Sequence, residues 1–186
     1  MSHPIFLFLL LFCLLLLAYL FFRGRGKPKT TGEAAARTVQ VQNARLLPVI
    51  RQMIAEGHTA TFRVRGFSMR LFLEDQRDKV LLGPCTTVNK GDVILAEIFP
   101  DTYVLHRVIR IDGDQLILQG DGNIKGTEQC RRKNIVGIAL GFYRKDRKQP
   151  DMVTGWKWRT YSKVWLALSP FRRIILGIYR RQPFRI

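Results

Sequence analysis

The sequence predicts a mainly β domain that follows an N-terminal transmembrane helix and precedes C-terminal amphipathic, basic helices. An uncharged apolar run opens the chain, a period of two dominates its middle, and a helical period returns near its end. With 186 residues, the chain has room for one domain of ordinary size and its appendages. We expect a transmembrane anchor at 1–22, a basic flexible linker at 23–37, a β domain with a leading helix at 38–150, and a basic membrane-surface tail at 151–186.

The apolar run at 4–22 contains no charged residue, and its 19 positions would span roughly 28 Å as a helix. A cleaved signal peptide would start with positive residues and end with small ones, and this run does neither. We therefore predict a single-pass membrane anchor. Cations follow the anchor and none precedes it, so the positive-inside rule places the rest of the chain in the cytoplasm.

The middle of the chain changes its period from helical to alternating. Residues 43–56 have apolar positions at helical spacing, and from residue 59 onward short β-rich runs are separated by turn signals. These observations predict a leading helix followed by a compact sheet with non-local strand pairing. The predicted strands are 59–64, 79–82, 92–98, 103–111, 115–119 and 135–143.

The charge is strongly positive, at +17, and much of it lies beside the apolar segments. The linker at 23–37 carries five cations and one anion, and the tail at 151–186 carries eight cations and one anion. The tail's three tryptophans are suited to headgroup depth, and Pro170 should divide it into two helices. We therefore expect anionic lipid as the partner of the anchor and tail, and no nucleic acid. The alternative for the tail is a helix that packs on the β domain.

The cysteines Cys13, Cys85 and Cys130 are odd in number and lack metal-ligand spacing. A disulfide between Cys85 and Cys130 is possible, but the sequence favours two unpaired thiols. We expect no cofactor and no metal.

Ser68 is the candidate nucleophile. It lies in residues 66–69 (GFSM), where a β-like run ends and an irregular stretch at 70–78 begins. Such a break exposes a side chain beside free backbone N–H groups, which an oxyanion needs. A serine also needs a neighbouring base to take its proton. The alternative interpretation is an ordinary turn serine.

His106 is the candidate base, because it stands inside an apolar strand-like run. Alternation puts Val104, His106 and Val108 on one face, on the side expected to be buried. A buried neutral imidazole is a good general base. A core histidine with a satisfied ring is the alternative, and the sequence leaves both open.

Asp121 is the candidate carboxylate for orienting the histidine. It follows a predicted strand, in residues 119–123 (QGDGN). A carboxylate at this position could accept the ring N–H and fix the tautomer of the imidazole. The alternative is a tight turn in which the aspartate caps its own backbone. Glu128 is a second possible carboxylate, whereas Asp112 and Asp114 are typical of a hairpin.

Four strings occur in order along the chain: 66–69 (GFSM), 91–94 (GDVI), 104–108 (VLHRV) and 120–123 (GDGN). Together they resemble the signal peptidase I family and its relatives, the LexA-type self-cleaving repressors, over about residues 60–142. The resemblance implies a coiled, mostly β fold and a serine endopeptidase. Bacterial signal peptidases and the repressors have lysine in the third string. In this respect the chain, which has His106 at that position, resembles the branch that contains the endoplasmic reticulum and archaeal signal peptidases.

The resemblance also implies a role for each matching residue. Ser68 would be the nucleophile, His106 the general base and Asp121 the supporting acid. Gly66 and Met69 would position the loop and leave backbone N–H groups to hold the oxyanion.

We therefore expect a membrane-anchored serine endopeptidase that cleaves peptides or preproteins near the membrane. The signal peptidases that the chain resembles act outside the cytoplasm, whereas the cations after the anchor favour the cytoplasmic side. The sequence leaves that side open. The alternative function is a non-catalytic membrane-surface binding module that kept the fold.

Overall fold

The computed structural model describes residues 43–145 and 147–181. The predicted anchor at 1–22, the linker at 23–37 and the first residues of the predicted β domain lie outside the described residues. Within the described ranges, no helix has both the length and the apolar character needed to cross a membrane. The elements, in chain order, are α1 (Asn43–Ala55), β1 (Ala60–Arg63), β2 (Lys79–Gly83), β3 (Val93–Phe99), β4 (Thr102–Asp112), β5 (Gln115–Gln119), β6 (Glu128–Arg131), a 3-10 turn (Arg132–Asn134), β7 (Ile135–Tyr143), β8 (Asp151–Met152), α2 (Trp156–Ala167), a 3-10 turn (Ser169–Phe171) and α3 (Arg172–Arg181).

Eight antiparallel strands form one sheet in the described part of the chain. Their order is β1-β2-β7-β3-β4-β5-β6, and β8 pairs with β7. The register shifts within the β2–β7, β3–β4, β3–β7 and β4–β5 pairs. Such irregularities bend strands and increase their twist. The prediction of a mainly β fold is confirmed.

The predicted elements agree with the observed ones wherever the sequence alternates clearly. Strands β5 and β7 have the predicted bounds, and the other predicted strands and α1 differ by a few residues at most. The sequence analysis missed β6 and β8. Strand β6 reads EQCR, which has no run of β-branched or aromatic residues, and β8 has only two residues.

Two apolar cores cover the two faces of the sheet. Adjacent residues of a strand point to opposite faces, and the neighbours Ile94 and Leu95 accordingly belong to different cores. The helix-side core contains α1 and α2 residues together with Leu95, and it includes Leu47, Ile50, Ile54, Val80, Leu82, Phe142 and Trp158. The second core consists of Val88, Ile94, Ala96, Val108, Leu116, Leu118 and Cys130.

The tail packs on the β domain through α2. Trp158 and Trp165 are only 7% and 4% exposed, so their assignment to headgroup depth is wrong. Trp158 packs against the rings of Phe72 and Phe142, with centroid distances of 4.6 and 4.8 Å. Of the three tryptophans only Trp156 is exposed. The predicted break at Pro170 is confirmed by the 3-10 turn between α2 and α3.

The two cysteines in the described ranges are free thiols, as the sequence favoured. Cys130 lies in the second core, and burial raises the pKa of its thiol to about 11. Burial also raises the pKa of Cys85. Both thiols therefore remain protonated at neutral pH and act as small packing groups.

Candidate active site

Ser68 stands at the corner of a tight turn between β1 and β2. The backbone N–H of Arg70 donates to the carbonyl of Phe67 at 3.0 Å, which places Ser68 and Met69 in the centre of the turn. Ser68 is half-buried, and the preceding Phe67 is 59% exposed. The turn thus presents the serine at the surface of a folded loop, as the sequence analysis expected.

The turn at 120–123 packs directly against Ser68. The Gly122 N–H donates to the Ser68 carbonyl at 2.7 Å. A Cβ on Gly120 would lie 2.3 Å from the Ser68 carbonyl oxygen, and one on Gly122 would lie 2.5 Å from that of Phe67. Both separations are far below van der Waals contact, so glycine is required at both positions for this approach.

The strand register brings His106 to the same place. Arg107 pairs with Gln119 across β4 and β5, and continuing that register by one residue sets Gly120 opposite His106. Opposed residues of antiparallel strands point to the same face, with Cβ atoms about 5 Å apart. Because a Cβ on Gly120 would meet the Ser68 carbonyl, the Ser68 turn lies at the end of β5, level with His106 on β4 by this register.

His106 is held by Glu128. Its Nδ1 lies 2.8 Å from Glu128 Oε2, and the histidine is 4% exposed. Strand β6 pairs Glu128 with Leu118, whose side chain shares the second core with Val108, so the glutamate lies on the His106 face. In the described part of the chain, no hydrogen bond joins Nε2 of His106 to another group, and none joins the Ser68 hydroxyl to the ring.

Asp121 does not contact His106 in this arrangement, which corrects the expectation from the sequence. Its two carboxylate oxygens accept hydrogen bonds from Nε and Nη2 of Arg107, at 2.8 and 2.6 Å. Arg107 is next to His106 on β4 and therefore points to the opposite face. Glu128, considered only as a second possibility, forms the contact with the histidine instead.

The Arg107–Asp121 pair is fully buried beneath α2. Arg107 also donates through Nη1 to the Gly91 carbonyl at 2.8 Å and to the Ser162 hydroxyl at 2.6 Å. Burial alone would lower the pKa of Arg107, but the charge of Asp121 and the hydrogen bonds to it raise the pKa above its ordinary value. Burial, followed by the same carboxylate, raises the pKa of Tyr161 well above its ordinary value.

Gly66 and Met69 have structural roles in the loop. Gly66 has a φ of +91°, which favours glycine, and its N–H donates to Asp75 Oδ1 at 2.8 Å. That N–H is therefore engaged and does not serve an oxyanion. Met69 is 2% exposed and anchors the turn in the helix-side core. Within residues 43–145 and 147–181, the backbone N–H groups of Ser68 and Met69 form no hydrogen bond.

The site thus brings together three features. The half-buried Ser68 turn packs on Gly120, and His106 is buried on β4 with one ring nitrogen held by the Glu128 carboxylate. Among the described residues, no three His, Cys, Asp or Glu side chains are grouped as metal ligands would be.

Sequence reasoning underestimated two residues of this region. The sequence analysis gives Arg107 no role, although a cation that is buried next to Val108 in an apolar strand requires an acidic partner. Glu128 lies on β6, whose pattern does not identify it as a strand, so its face could not be assigned from the sequence.

Comparison with known proteins adds no family assignment. No family model matches the chain, and no curated protein matches it.

Proposed function

We propose that this chain is a membrane-anchored serine endopeptidase of the signal peptidase type, which cleaves peptides or preproteins near the membrane. The observation that carries the proposal is the packing of Ser68 on Gly120, together with a buried histidine on the neighbouring strand whose Nδ1 is held by Glu128. The antiparallel sheet agrees with the mostly β fold that the resemblance to signal peptidases implies.

The proposed reaction begins with transfer of the Ser68 hydroxyl proton to Nε2 of His106. The serine oxygen attacks the scissile carbonyl carbon, and the resulting oxyanion is stabilised by the N–H groups of Ser68 and Met69. Glu128 accepts the Nδ1 proton in a hydrogen bond and stabilises the imidazolium. The histidine then donates its proton to the leaving amine, and water releases the acyl group by the same steps in reverse.

The proposed substrate is an extended peptide segment close to a bilayer, with small residues before the scissile bond as the resemblance implies. Strand β1 is at the end of the strand order and leads directly into the Ser68 turn. An edge strand offers unpaired backbone groups that an extended peptide can bind.

A serine-directed phosphonate probe tests the assignment. We expect covalent labelling of the full chain in anionic vesicles, mapped to Ser68 by peptide mass spectrometry and absent from Ser68→Ala. Ser169→Ala is the matched control, because Ser169 is exposed and lies outside the site. Labelling that persists in Ser68→Ala on an intact fold would exclude this nucleophile.

The alternative, a non-catalytic membrane-surface module, is favoured by one surface. Phe171 at the end of the 3-10 turn and Ile174 and Ile178 of α3 are 49%, 62% and 59% exposed, and their spacing places them on one side. Arg173, next to Ile174 in sequence, is exposed and adds a positive charge that suits an anionic bilayer. The two functions are separated by the probe experiment, because the module would bind vesicles without labelling Ser68.

The side of the membrane on which the β domain lies determines which substrates are accessible to the proposed enzyme. A reporter fused after residue 186, or protease accessibility in intact cells, locates the domain. Location outside the cytoplasm would support secretory-signal processing, and a cytoplasmic location would support processing of proteins at the inner face.

A further inference from the structure

Helix α3 contacts the turn that Ser68 packs against. Arg172, at the start of the helix, is 3% exposed, and its Nη1 lies 3.4 Å from the carbonyl oxygens of both Gly120 and Asn123. Its guanidinium also lies over the Trp165 ring, 5.3 Å from the centroid. The first turn of α3 therefore holds the segment that sets the position of the serine.

The same helix contacts the loop that contains the serine. Tyr179 is seven residues beyond Arg172, so both side chains lie on one side of the helix. The Tyr179 hydroxyl donates to Glu74, whose other carboxylate oxygen accepts from Arg70 Nε at 3.2 Å. Arg70 in turn closes the turn around Ser68 through its backbone N–H. Burial and the Glu74 carboxylate raise the pKa of Tyr179 to about 12, so the hydroxyl keeps its proton at neutral pH.

Packing alone does not account for a guanidinium at position 172. Its Nε and Nη2 atoms are buried without a hydrogen-bond partner within the described residues, which is unfavourable. An apolar side chain of similar volume would fill the same space without that cost. The contacts of Nη1 with the carbonyl oxygens of the 120–123 turn explain why an arginine stands at this position.

We propose that Arg172 and Tyr179 are positioning residues that hold the Ser68 turn against the 120–123 turn from a single helix. The C-terminal helix is then part of the framework of the active site, in addition to presenting an apolar surface. This inference rests on the proposed function, because the effect of positioning is read from the reactivity of Ser68.

The test compares Arg172→Met and Tyr179→Phe with two matched controls in the phosphonate assay. The controls are Arg159→Met, an exposed arginine of α2, and Tyr143→Phe, whose hydroxyl forms no hydrogen bond among the described residues. We expect the saturating rate constant for labelling to fall about 3- to 10-fold in each positioning variant, as loss of one hydrogen bond implies. The half-saturating probe concentration and the fraction labelled at completion should stay at wild-type values, because misfolding would lower that fraction rather than the rate constant.

Arg172→Lys should recover part of the rate lost in Arg172→Met. Wild-type rate constants in both Arg172→Met and Tyr179→Phe would overturn the inference while leaving the nucleophile assignment intact. If Arg172→Met does not fold, the labelling rate constant of Tyr179→Phe alone tests the inference, and a wild-type value would overturn it. A wild-type chain that is never labelled at Ser68 would instead defeat the proposed function, and the inference with it.

Discussion

His106 and Arg107 are neighbours on β4, and each pairs with a carboxylate, but the two pairs lie on opposite faces of the sheet. The side chains of Arg107 and Asp121 are both 0% exposed, whereas those of His106 and Glu128 are 5% and 27% exposed. Arg107 donates to four acceptor atoms and holds both oxygens of Asp121. His106 has one ring nitrogen bound to Glu128 and one without a partner among the described residues.

The difference shows how the two faces of β4 can have different roles, one structural and one chemical. A buried ion pair with its hydrogen bonds made is rigid and chemically inert, and removal of either partner leaves an uncompensated charge. A histidine that is fixed at one nitrogen and open at the other can accept a proton at the open one. Under the proposed function, the Arg107 face serves stability and the His106 face serves chemistry, and the substitutions below test this division.

Arg107→Met should have the largest effect, on stability. The change leaves the Asp121 carboxylate buried without its cation, and we expect a loss of about 3–5 kcal/mol in the free energy of unfolding. Urea unfolding measures it, with Arg110→Met, an exposed arginine of the same strand, as the control. The double variant Arg107→Met/Asp121→Leu should recover part of the loss. A change below about 1 kcal/mol would show that the pair is not structural.

Gly120→Ala should strongly reduce the reactivity of Ser68. The new methyl group would lie 2.3 Å from the Ser68 carbonyl, so the turn must move. Displacement of a reacting group by about 1 Å costs on the order of 100-fold, and we expect a loss of that size in the labelling rate. Gly177→Ala, where a Cβ meets nothing within 4 Å, should react at the wild-type rate. Equal rates in the two variants would contradict the placement of Ser68 on Gly120.

Glu128→Gln should have a smaller effect on the same rate. Glutamine can still accept from Nδ1, but it lacks the charge that stabilises an imidazolium, and we expect about a tenfold loss. The free energy of unfolding should change little, because Glu128 is partly exposed. Asp112→Asn, in the neighbouring hairpin, is the control. A wild-type labelling rate in Glu128→Gln would show that the charge of Glu128 does not contribute to the reaction.

Tyr161→Phe should have the smallest effect, a small loss of stability from the long hydrogen bond to Asp121 and a changed pH dependence at alkaline pH. Because the pKa of Tyr161 is raised in the folded state, the unfolded chain loses this proton first as pH rises above about 10. Stability contributed by the protonated phenol is therefore complete below that pH and declines above it. Unfolding free energies measured between about pH 9 and pH 11 should fall less steeply in Tyr161→Phe than in wild type or Tyr143→Phe. Equal slopes of unfolding free energy against pH in Tyr161→Phe and wild type would contradict a raised pKa of Tyr161 in the folded state.

Much of the fold could be predicted because its strands alternate clearly. Strands β5 and β7 were predicted to the residue, and the break at Pro170 followed from the ring's effect on a helix. The proposed roles of Ser68 and His106 stay predictions; what the structure adds is that the Ser68 carbonyl packs on Gly120, the residue that follows β5.

The partners of the two carboxylates could not be predicted in the same way. A strand pattern shows that His106 and Arg107 face opposite sides, but it does not show which carboxylate reaches which side. Asp121 lies in a turn, where alternation does not apply, and Glu128 lies on a strand without an apolar pattern. The roles of Trp158 and Trp165 were missed for a related reason, because an amphipathic helix has the same period against a sheet as against a bilayer.

The rate of Ser68 phosphonylation in His106→Gln, measured beside its free energy of unfolding, tests the division between the two faces most directly. Glutamine removes the base while keeping a polar side chain, so we expect a loss of about 100-fold or more in the rate. The change in stability should stay well below that of Arg107→Met. A wild-type rate in His106→Gln, or a loss accounted for entirely by unfolded protein, would contradict the assignment of His106 as the base for Ser68.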